Sequence, residues 1–371
     1  MLAPAWNRQI DEAINKLPLI RNRYPRSGSS SNKVIVREGQ SYHNFISNDY
    51  LGLSTHPQLK QAFKIACDDY GIGSTGAASL SGYTEAQYIL EKNLAQWLQL
   101  EDILFMNSGF SLNSSLYKPL SNANTMIWLD KNCHASHIDG VLASKSRFAR
   151  FDGDNITDLR SKISRLPDLL HLVISEGVFS MDGDLAPVKA LLKLAEQYDA
   201  LLLVDDAHGF GVLGKHGHGI LEQENISSDR IIYIGTLGKA AGVSGAFVCA
   251  QETLIEWLIQ KGRPFIYSTA TPPAIAHTLS KSLEMIEGDE GASRRIQLNK
   301  LIRIWQDEMQ FTQWKKVSSC TAIQPVILGS NANALLAAKL LDEAGYWIPA
   351  IRPPTVPNGS SRLRITFSAN H

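Results

Sequence analysis

Two short apolar runs, each leading into ionisable side chains, constrain this chain more than any other feature. Leu201-Leu-Leu-Val204 leads into Asp205-Asp206-Ala-His208, and Ile231-Ile-Tyr-Ile-Gly235 leads into Thr236-Leu-Gly-Lys239. Uninterrupted apolar stretches of this length, bounded by turn signals, suit strands buried on both faces, the habit of a parallel sheet covered by helices. Asp205 and Lys239 then fall at the carboxyl ends of parallel strands, the edge at which open α/β sheets bind ligands.

A carboxylate and a lysine in that relation fit pyridoxal phosphate. The carboxylate keeps the pyridine nitrogen protonated and makes the ring an electron sink, while the lysine amine forms a Schiff base with the aldehyde. Either half alone has a plainer reading: a metal or phosphate site for the paired carboxylates, a solvated side chain for the lysine. Their joint occurrence favours the cofactor. A third segment, Ser175-Glu-Gly-Val-Phe-Ser180-Met-Asp-Gly-Asp-Leu-Ala-Pro187, follows another apolar run, Leu172-Val-Ile174, and precedes a helix that Pro187 opens at its first turn.

The 371 residues exceed what one hydrophobic core usually serves, so one large and one small domain are expected. The 36 basic and 36 acidic residues cancel, with no lysine- or arginine-rich block, which argues against nucleic acid or a membrane surface as partner and for a small-molecule enzyme. Cys67, Cys133, Cys249 and Cys320 form no C-x-x-C pair, so no zinc site or disulfide framework is indicated and a reducing, cytoplasmic compartment is expected. The first residues lack a signal-peptide pattern, and no window approaches the ~18 apolar residues of a spanning helix. The N-x-S/T matches at Asn113, Asn155, Asn225 and Asn358 are then chance.

Residues 5–20 have helical spacing, and the polar run Ser27-Gly-Ser-Ser-Ser31 reads as a mobile loop. Helices then alternate with strands: helices near 57–70, 84–99 and 110–120 and from His134, strands near 103–106, 125–129, 171–175, 200–205, 231–235 and 245–250. In helix 84–99, Leu90, Leu94, Trp97 and Leu98 recur at threes and fours, and Thr84 with Gln87 makes a capping-box pattern. Long helical patterns follow near 251–260, 272–287 and 294–310, then an extended stretch at 322–328, a helix at 331–344 and strands around 346–351 and 361–367. The expected division is an N-terminal helix and arm over 1–45 packing with the small domain, a large α/β domain over 46–290 and a small α+β domain over 291–371.

Gly71-Ile-Gly73-Ser-Thr-Gly76 satisfies G-x-G-x-x-G, but it lacks the preceding strand and following helix of a dinucleotide fingerprint. Its glycines are expected instead to let the backbone pass close to a ligand. Asn107-Ser108-Gly109-Phe110-Ser-Leu-Asn113, between Ile103-Leu-Phe-Met106 and a helix, reads either as a phosphate cradle at a helix start or as an ordinary cap. Thr236 and the hydroxyls of Tyr267-Ser268-Thr269 are further donors. His134, at another strand-to-helix junction, reads as a ring that stacks on a planar cofactor or as a structural histidine. His208, three residues past Asp205, is placed to reach the phenolic oxygen of the cofactor or to assist proton transfer.

These residues give the chain a resemblance to the α-oxoamine synthases, pyridoxal phosphate enzymes of the aminotransferase-like fold (fold type I). The matching segments are Asn48-Asp-Tyr-Leu-Gly-Leu-Ser54, Ser108-Gly-Phe110, Ser175 to Asp184, Val204-Asp-Asp-Ala-His-Gly209, Thr236-Leu-Gly-Lys-Ala240 and Gly242-Val-Ser-Gly-Ala246. Ile266 to Pro273, Ala322-Ile-Gln-Pro325, Ala350 to Pro357 and Arg362-Leu-Arg364 resemble the branch that condenses L-alanine with pimeloyl-CoA or a pimeloyl-carrier protein. They are less like the glycine acetyltransferases, 5-aminolevulinate synthases or serine palmitoyltransferases. The resemblance implies that Lys239 carries the cofactor, Asp205 pairs with its pyridine nitrogen, His208 and Ser180 reach its phenolic oxygen and His134 stacks on its ring. It implies that Gly109, Phe110 and Thr236 hold the phosphate, with Ser268 and Thr269 reaching it from the second subunit of a homodimer. Arg364 would bind the amino acid carboxylate, with Asn48, Arg21, Arg352 and Thr355 lining the substrate side. The implied reaction is loss of the alanine α-proton to Lys239, attack of the carbanion on the thioester, and loss of carbon dioxide.

The chain departs from that pattern in three places. Gly73-Ser-Thr-Gly-Ala-Ala78 and Gln87 stand where a glycine-rich run and a histidine are usual, and Gly153-Asp-Asn155 where His-Asn-Asp is common. Beyond the Arg362-Leu-Arg364 strand, relatives continue into a helix while this sequence reads Phe367-Ser-Ala-Asn-His371, so exposed apolar surface is expected in the small domain. The competing readings are another acyl-CoA:amino acid condensing enzyme such as glycine acetyltransferase, a non-catalytic partner subunit of the same fold, and, remotely, a nucleotide binder built on the glycine segment.

Overall fold

The computed structural model describes residues 3–17, 23–27 and 34–371. Arg21 and most of the polar run at 27–31 lie outside those residues. Seven strands form the central sheet, in the order Asp102–Met106, Ala246–Ala250, Ile231–Thr236, Leu201–Asp205, Leu170–Glu176, Thr125–Asp130 and Arg147–Phe151. Ala246–Ala250 alone runs against its neighbours. This is a mostly parallel α/β sheet, as expected from the apolar runs.

Alternation along the pleat explains why those runs are apolar throughout. Leu202, Val204, Ile231 and Tyr233 pack into one hydrophobic cluster with Phe210 and Phe247. Leu203, Ile232 and Ile234 pack into another with Leu112, Leu116 and Tyr117. Each face of the sheet is thus a core, and neither can hold an unpaired polar side chain cheaply. Register sets the strand ends level: Asp205 lies opposite Glu176 on one side and Ile234 on the other.

Two smaller sheets flank this one. Arg26–Ser27, Val34–Arg37, Gln40–Asn44 and Tyr346–Trp347 make the first; Lys315–Lys316, Ile323–Gly329, Ser361–Thr366 and Ala350–Ile351 make the second, which is antiparallel. The helix Pro4–Asn15 was expected to pack with the C-terminal region, but it buries none of its side chains. Its apolar stripe of Trp6, Ile10 and Ile14 stays exposed, and the strand Gln40–Asn44, paired in parallel with Tyr346–Trp347, makes the connection instead.

The segment Gly71 to Gly76 follows the helix Pro57–Tyr70 and precedes a single π-turn, Ala78–Gly82, so it has neither flank of a dinucleotide site. Nor do its glycines line the central cavity described below. The Gly76 carbonyl accepts from the Ala270 amide at 2.9 Å, and a Cβ on Gly82 would sit 2.1 Å from that carbonyl. The close approach there is of the chain to itself.

The last residues are fastened rather than loose. Phe367 donates its amide to Ala322, Ala369 to the Tyr50 carbonyl, and the Ser368 hydroxyl to the Asp49 carbonyl. Exposed apolar side chains do occur in this part of the molecule, at Leu335, Leu336 and Leu340 on the helix Asn331–Glu343.

Candidate active site

The two carboxylates that end Leu201–Asp205 part company because successive side chains point to opposite faces of the sheet. Asp206 turns to the Tyr233 side, where its Oδ2 accepts from the Ile220 amide at 2.6 Å and the Tyr233 hydroxyl at 2.9 Å. Burial dominates there and raises its pKa to about 7. Asp205 turns to the opposite side and meets more donors. Its Oδ1 accepts from the Ala207 amide at 3.1 Å, and its Oδ2 from His137 Nε2 at 2.8 Å and Asn113 Nδ2 at 3.0 Å. Burial works to raise the Asp205 pKa, but the hydrogen bond from His137, the Lys239 charge and the hydrogen bond from Asn113 outweigh it, leaving the carboxyl at about 2. Of the paired carboxylates, one is kept anionic at a cavity and the other braces a loop.

Lys239 follows the next strand, Ile231–Thr236, and lines the cavity half-buried; loss of water around its amine lowers its pKa, which favours the free form. Its Nζ lies 3.0 Å from His208 Nε2. His208 Nδ1 lies 2.6 Å from the Tyr50 hydroxyl, which in turn reaches Asn48 Oδ1 at 3.1 Å. Burial, then the charges of Lys239 and Arg364, hold the His208 pKa well below its usual value, so the ring is neutral. With Tyr50 donating to Asn48, the Nδ1 hydrogen goes to Tyr50 and Nε2 is left to accept from Lys239. The row ends at Arg364, whose guanidinium nitrogens stand 3.3 and 3.4 Å from Asn48 Oδ1 and whose Nε donates to the Ser180 carbonyl at 2.6 Å.

One cavity is lined by Gly109, Phe110, His134, Ser180, Asp205, His208, Thr236 and Lys239. Eight residues expected to hold the cofactor therefore share one space. His134 caps the helix Ala135–Ser144, its Nδ1 accepting from the Ser136 amide at 3.3 Å, and its own amide donates to Glu176 Oε1 at 2.5 Å. Gly109 and Phe110 begin the helix Gly109–Leu116, where the first amides have no intrahelical partner and the dipole favours an anion. A planar, phosphorylated pyridine fits this donor set: amides for the phosphate, an anchored carboxylate for the ring nitrogen, and an amine in the cavity wall for the aldehyde.

Ser268 and Thr269 do not reach that cavity. Both are exposed and line a separate cleft beside Asn107, whose Nδ2 donates to the Thr269 carbonyl at 2.9 Å. Arg352 and Thr355 are likewise away from it, Thr355 donating its amide to the Arg352 carbonyl. Asn113, at the end of the expected phosphate cradle, holds Asp205 instead, and His137, Glu176 and Tyr50 join the site without having been expected there. Tyr50 and Glu176 lie inside the motif segments Asn48–Ser54 and Ser175–Asp184. His137 gave only its position, one turn after His134.

The aminotransferase class I and II family model matches residues 41–371. The protein named 8-amino-7-oxononanoate synthase 2 from a Polaromonas species is 44% identical, covering 100% of this chain and 95% of its own. The 8-amino-7-oxononanoate synthase of Nitrosospira multiformis is 45% identical over 95% of this chain and 88% of its own. Among solved structures, the serine palmitoyltransferase of Sphingomonas wittichii superposes with a TM-score of 0.90 at 27% identity, covering 100% of this chain and 94% of that one. The 8-amino-7-oxononanoate synthase of Francisella tularensis superposes with a TM-score of 0.75 at 30% identity, over 88% of this chain and 92% of its own. The cofactor of this fold is pyridoxal phosphate, as the paired Asp205 and Lys239 required, and the likeness runs the length of the chain. By descent as well as by geometry, the chain belongs to the aminotransferase class I and II family, in its α-oxoamine synthase branch beside the 8-amino-7-oxononanoate synthases.

Proposed function

We propose that this protein condenses L-alanine with a pimeloyl thioester, carried by CoA or by a carrier protein, to give 8-amino-7-oxononanoate, free thiol and carbon dioxide in biotin biosynthesis. The observation that carries the reading is the hydrogen-bonded row from Lys239 through His208, Tyr50 and Asn48 to Arg364, standing beside an anchored Asp205. Identity near 44% to proteins named for that activity supports this choice over glycine acetyltransferase. A non-catalytic subunit has no use for a cavity-lining lysine whose charge is discouraged by its surroundings.

Bound pyridoxal phosphate supplies an aldehyde for an amine and a ring that takes up the electron pair released when a proton or carbon dioxide leaves the α-carbon. The chain supplies the rest. Lys239 Nζ, held at His208, removes and returns the α-proton. Arg364, fixed by its bond to the Ser180 carbonyl, offers the remaining guanidinium face to the amino acid carboxylate. Asp205 holds the proton on the ring nitrogen. Ser268 and Thr269, exposed and outside the cavity, serve the phosphate of a second copy in a homodimer; Asn48, Arg352, Thr355 and Arg21 line the substrate side. The four free cysteines suit a reducing cytoplasm.

Release of thiol on mixing the cofactor-loaded protein with L-alanine and pimeloyl-CoA tests this. Glycine with acetyl-CoA runs alongside. Turnover of the first pair is expected; turnover of the second alone would move the substrate, and silence with CoA and carrier-protein donors alike would refute the reading.

A further inference from the structure

We propose that His137, backed by Tyr117, is a positioning residue that fixes the Asp205 carboxylate against the pyridine nitrogen of the cofactor and so sets how fully that nitrogen is protonated. The inference rests on the proposed pairing of Asp205 with the ring.

His137 is completely buried and does not line the cavity, so it has no direct contact to make with substrate or cofactor. Its Nε2 is 2.8 Å from Asp205 Oδ2, and its Nδ1 meets the Tyr117 hydroxyl. A carboxylate only accepts, so Nε2 carries the shared hydrogen. Tyr117 is fully buried, and desolvation holds its pKa well above the usual value; its hydroxyl keeps its proton and donates to Nδ1. The hydrogen bonds therefore run in one direction, from phenol to imidazole to carboxylate.

The surrounding packing is built for this row. Gly140, one turn beyond His137 on the helix Ala135–Ser144, lies flat on Tyr117, and a Cβ there would come 2.6 Å from the ring. Asn113 holds the same Asp205 oxygen and also donates to Ser136 Oγ at 3.0 Å, tying the helix Gly109–Leu116 to the one that carries His137. A buried anion is tolerated only where donors compensate lost water. With Oδ1 on the Ala207 amide and Oδ2 between His137 and Asn113, the carboxylate can neither rotate nor readily pick up a proton of its own. Its remaining lone pairs are what it offers to the cavity.

The test compares His137→Leu, His137→Gln and Tyr117→Phe with Asp205→Asn as reference, each loaded with pyridoxal phosphate labelled at the pyridine nitrogen. The nitrogen NMR shift reports protonation, and titration gives the cofactor dissociation constant. In His137→Leu the shift is expected to move toward the unprotonated value with cofactor binding about ten-fold weaker; His137→Gln, whose amide can still donate to Asp205, restores most of both. Tyr117→Phe falls between. A wild-type shift in His137→Leu, with the shift lost in Asp205→Asn, overturns the role of His137 and leaves the pairing of Asp205 intact. An unchanged shift in Asp205→Asn removes the pairing and the inference together. Should His137→Leu fail to fold, a wild-type shift and affinity in Tyr117→Phe would equally overturn the relay.

Discussion

Tyr50 and His208, 158 residues apart in sequence, meet at 2.6 Å between phenol oxygen and Nδ1. The contact dictates which nitrogen of His208 carries the hydrogen, and so what Nε2 presents to Lys239. Tyr50→Phe removes the acceptor for the Nδ1 hydrogen and lets the ring present a hydrogen, rather than a lone pair, to Lys239 Nζ. Turnover by thiol release is expected to fall about ten-fold, with cofactor affinity nearly unchanged. Unaltered turnover would show that the tautomer of His208 does not matter.

Arg364 is held from both sides, by the Ser180 carbonyl and Asn48 Oδ1. Arg364→Lys keeps the charge and loses the planar fork. The KM for L-alanine is expected to rise by about ten-fold or more, while the KM for the thioester stays within about two-fold. Steady-state kinetics with each substrate varied in turn decides this; equal rises in both constants would point to general distortion.

Asp206 gives a pH signature. Its folded pKa, raised to about 7 by burial, exceeds the ordinary carboxylate value of 3.8, so the folded state favours the protonated form. Its contribution to stability is whole below the ordinary value and is lost as pH climbs toward 7. Asp206→Asn has no such proton to lose. Relative to the natural protein, its free energy of unfolding should gain as pH rises from about 4 to about 7, by an amount on the order of a few kcal/mol at most. A difference flat across that range would mean that Asp206 is ionised throughout.

Gly183 has a φ of 73°, and a Cβ there would fall 2.3 Å from the Ile323 carbonyl. Gly183→Ala therefore combines backbone strain with a clash against the C-terminal sheet. A loss of about 2–4 kcal/mol in denaturant unfolding is expected. The Gly183 carbonyl also accepts from the Ser319 and Thr321 hydroxyls at 2.7 and 2.9 Å, so the turn bearing Ser180 should shift with it.

What could be read in advance follows from the range of the forces involved. The strands Leu201–Asp205 and Ile231–Thr236 announce themselves because both faces are buried, and the helix Glu85–Leu98 because Gln87 accepts from the Thr84 amide within one turn. Arg147–Phe151 passed unread: it is an edge strand, largely exposed, with arginines interleaving its apolar residues. The helix expected over 110–120 stops at Leu116, and the one expected from 294 begins at Asp289. The His137 and Tyr50 contacts escaped for a different reason. They join segments far apart in sequence, and only the assembled fold brings them together.

The register between Leu201–Asp205 and Ile231–Thr236 has a consequence for how such an enzyme can diversify. Asp205 and Lys239 are spaced by ladder hydrogen bonds, a ruler with fixed graduations, and a slip of one residue would turn every side chain to the wrong face. Arg364 comes from another sheet altogether, on Ser361–Thr366, and touches this frame through Ser180 and Asn48. Drift in that second sheet can regrade which amino acid is accepted while the spacing of the reacting groups stays as it was.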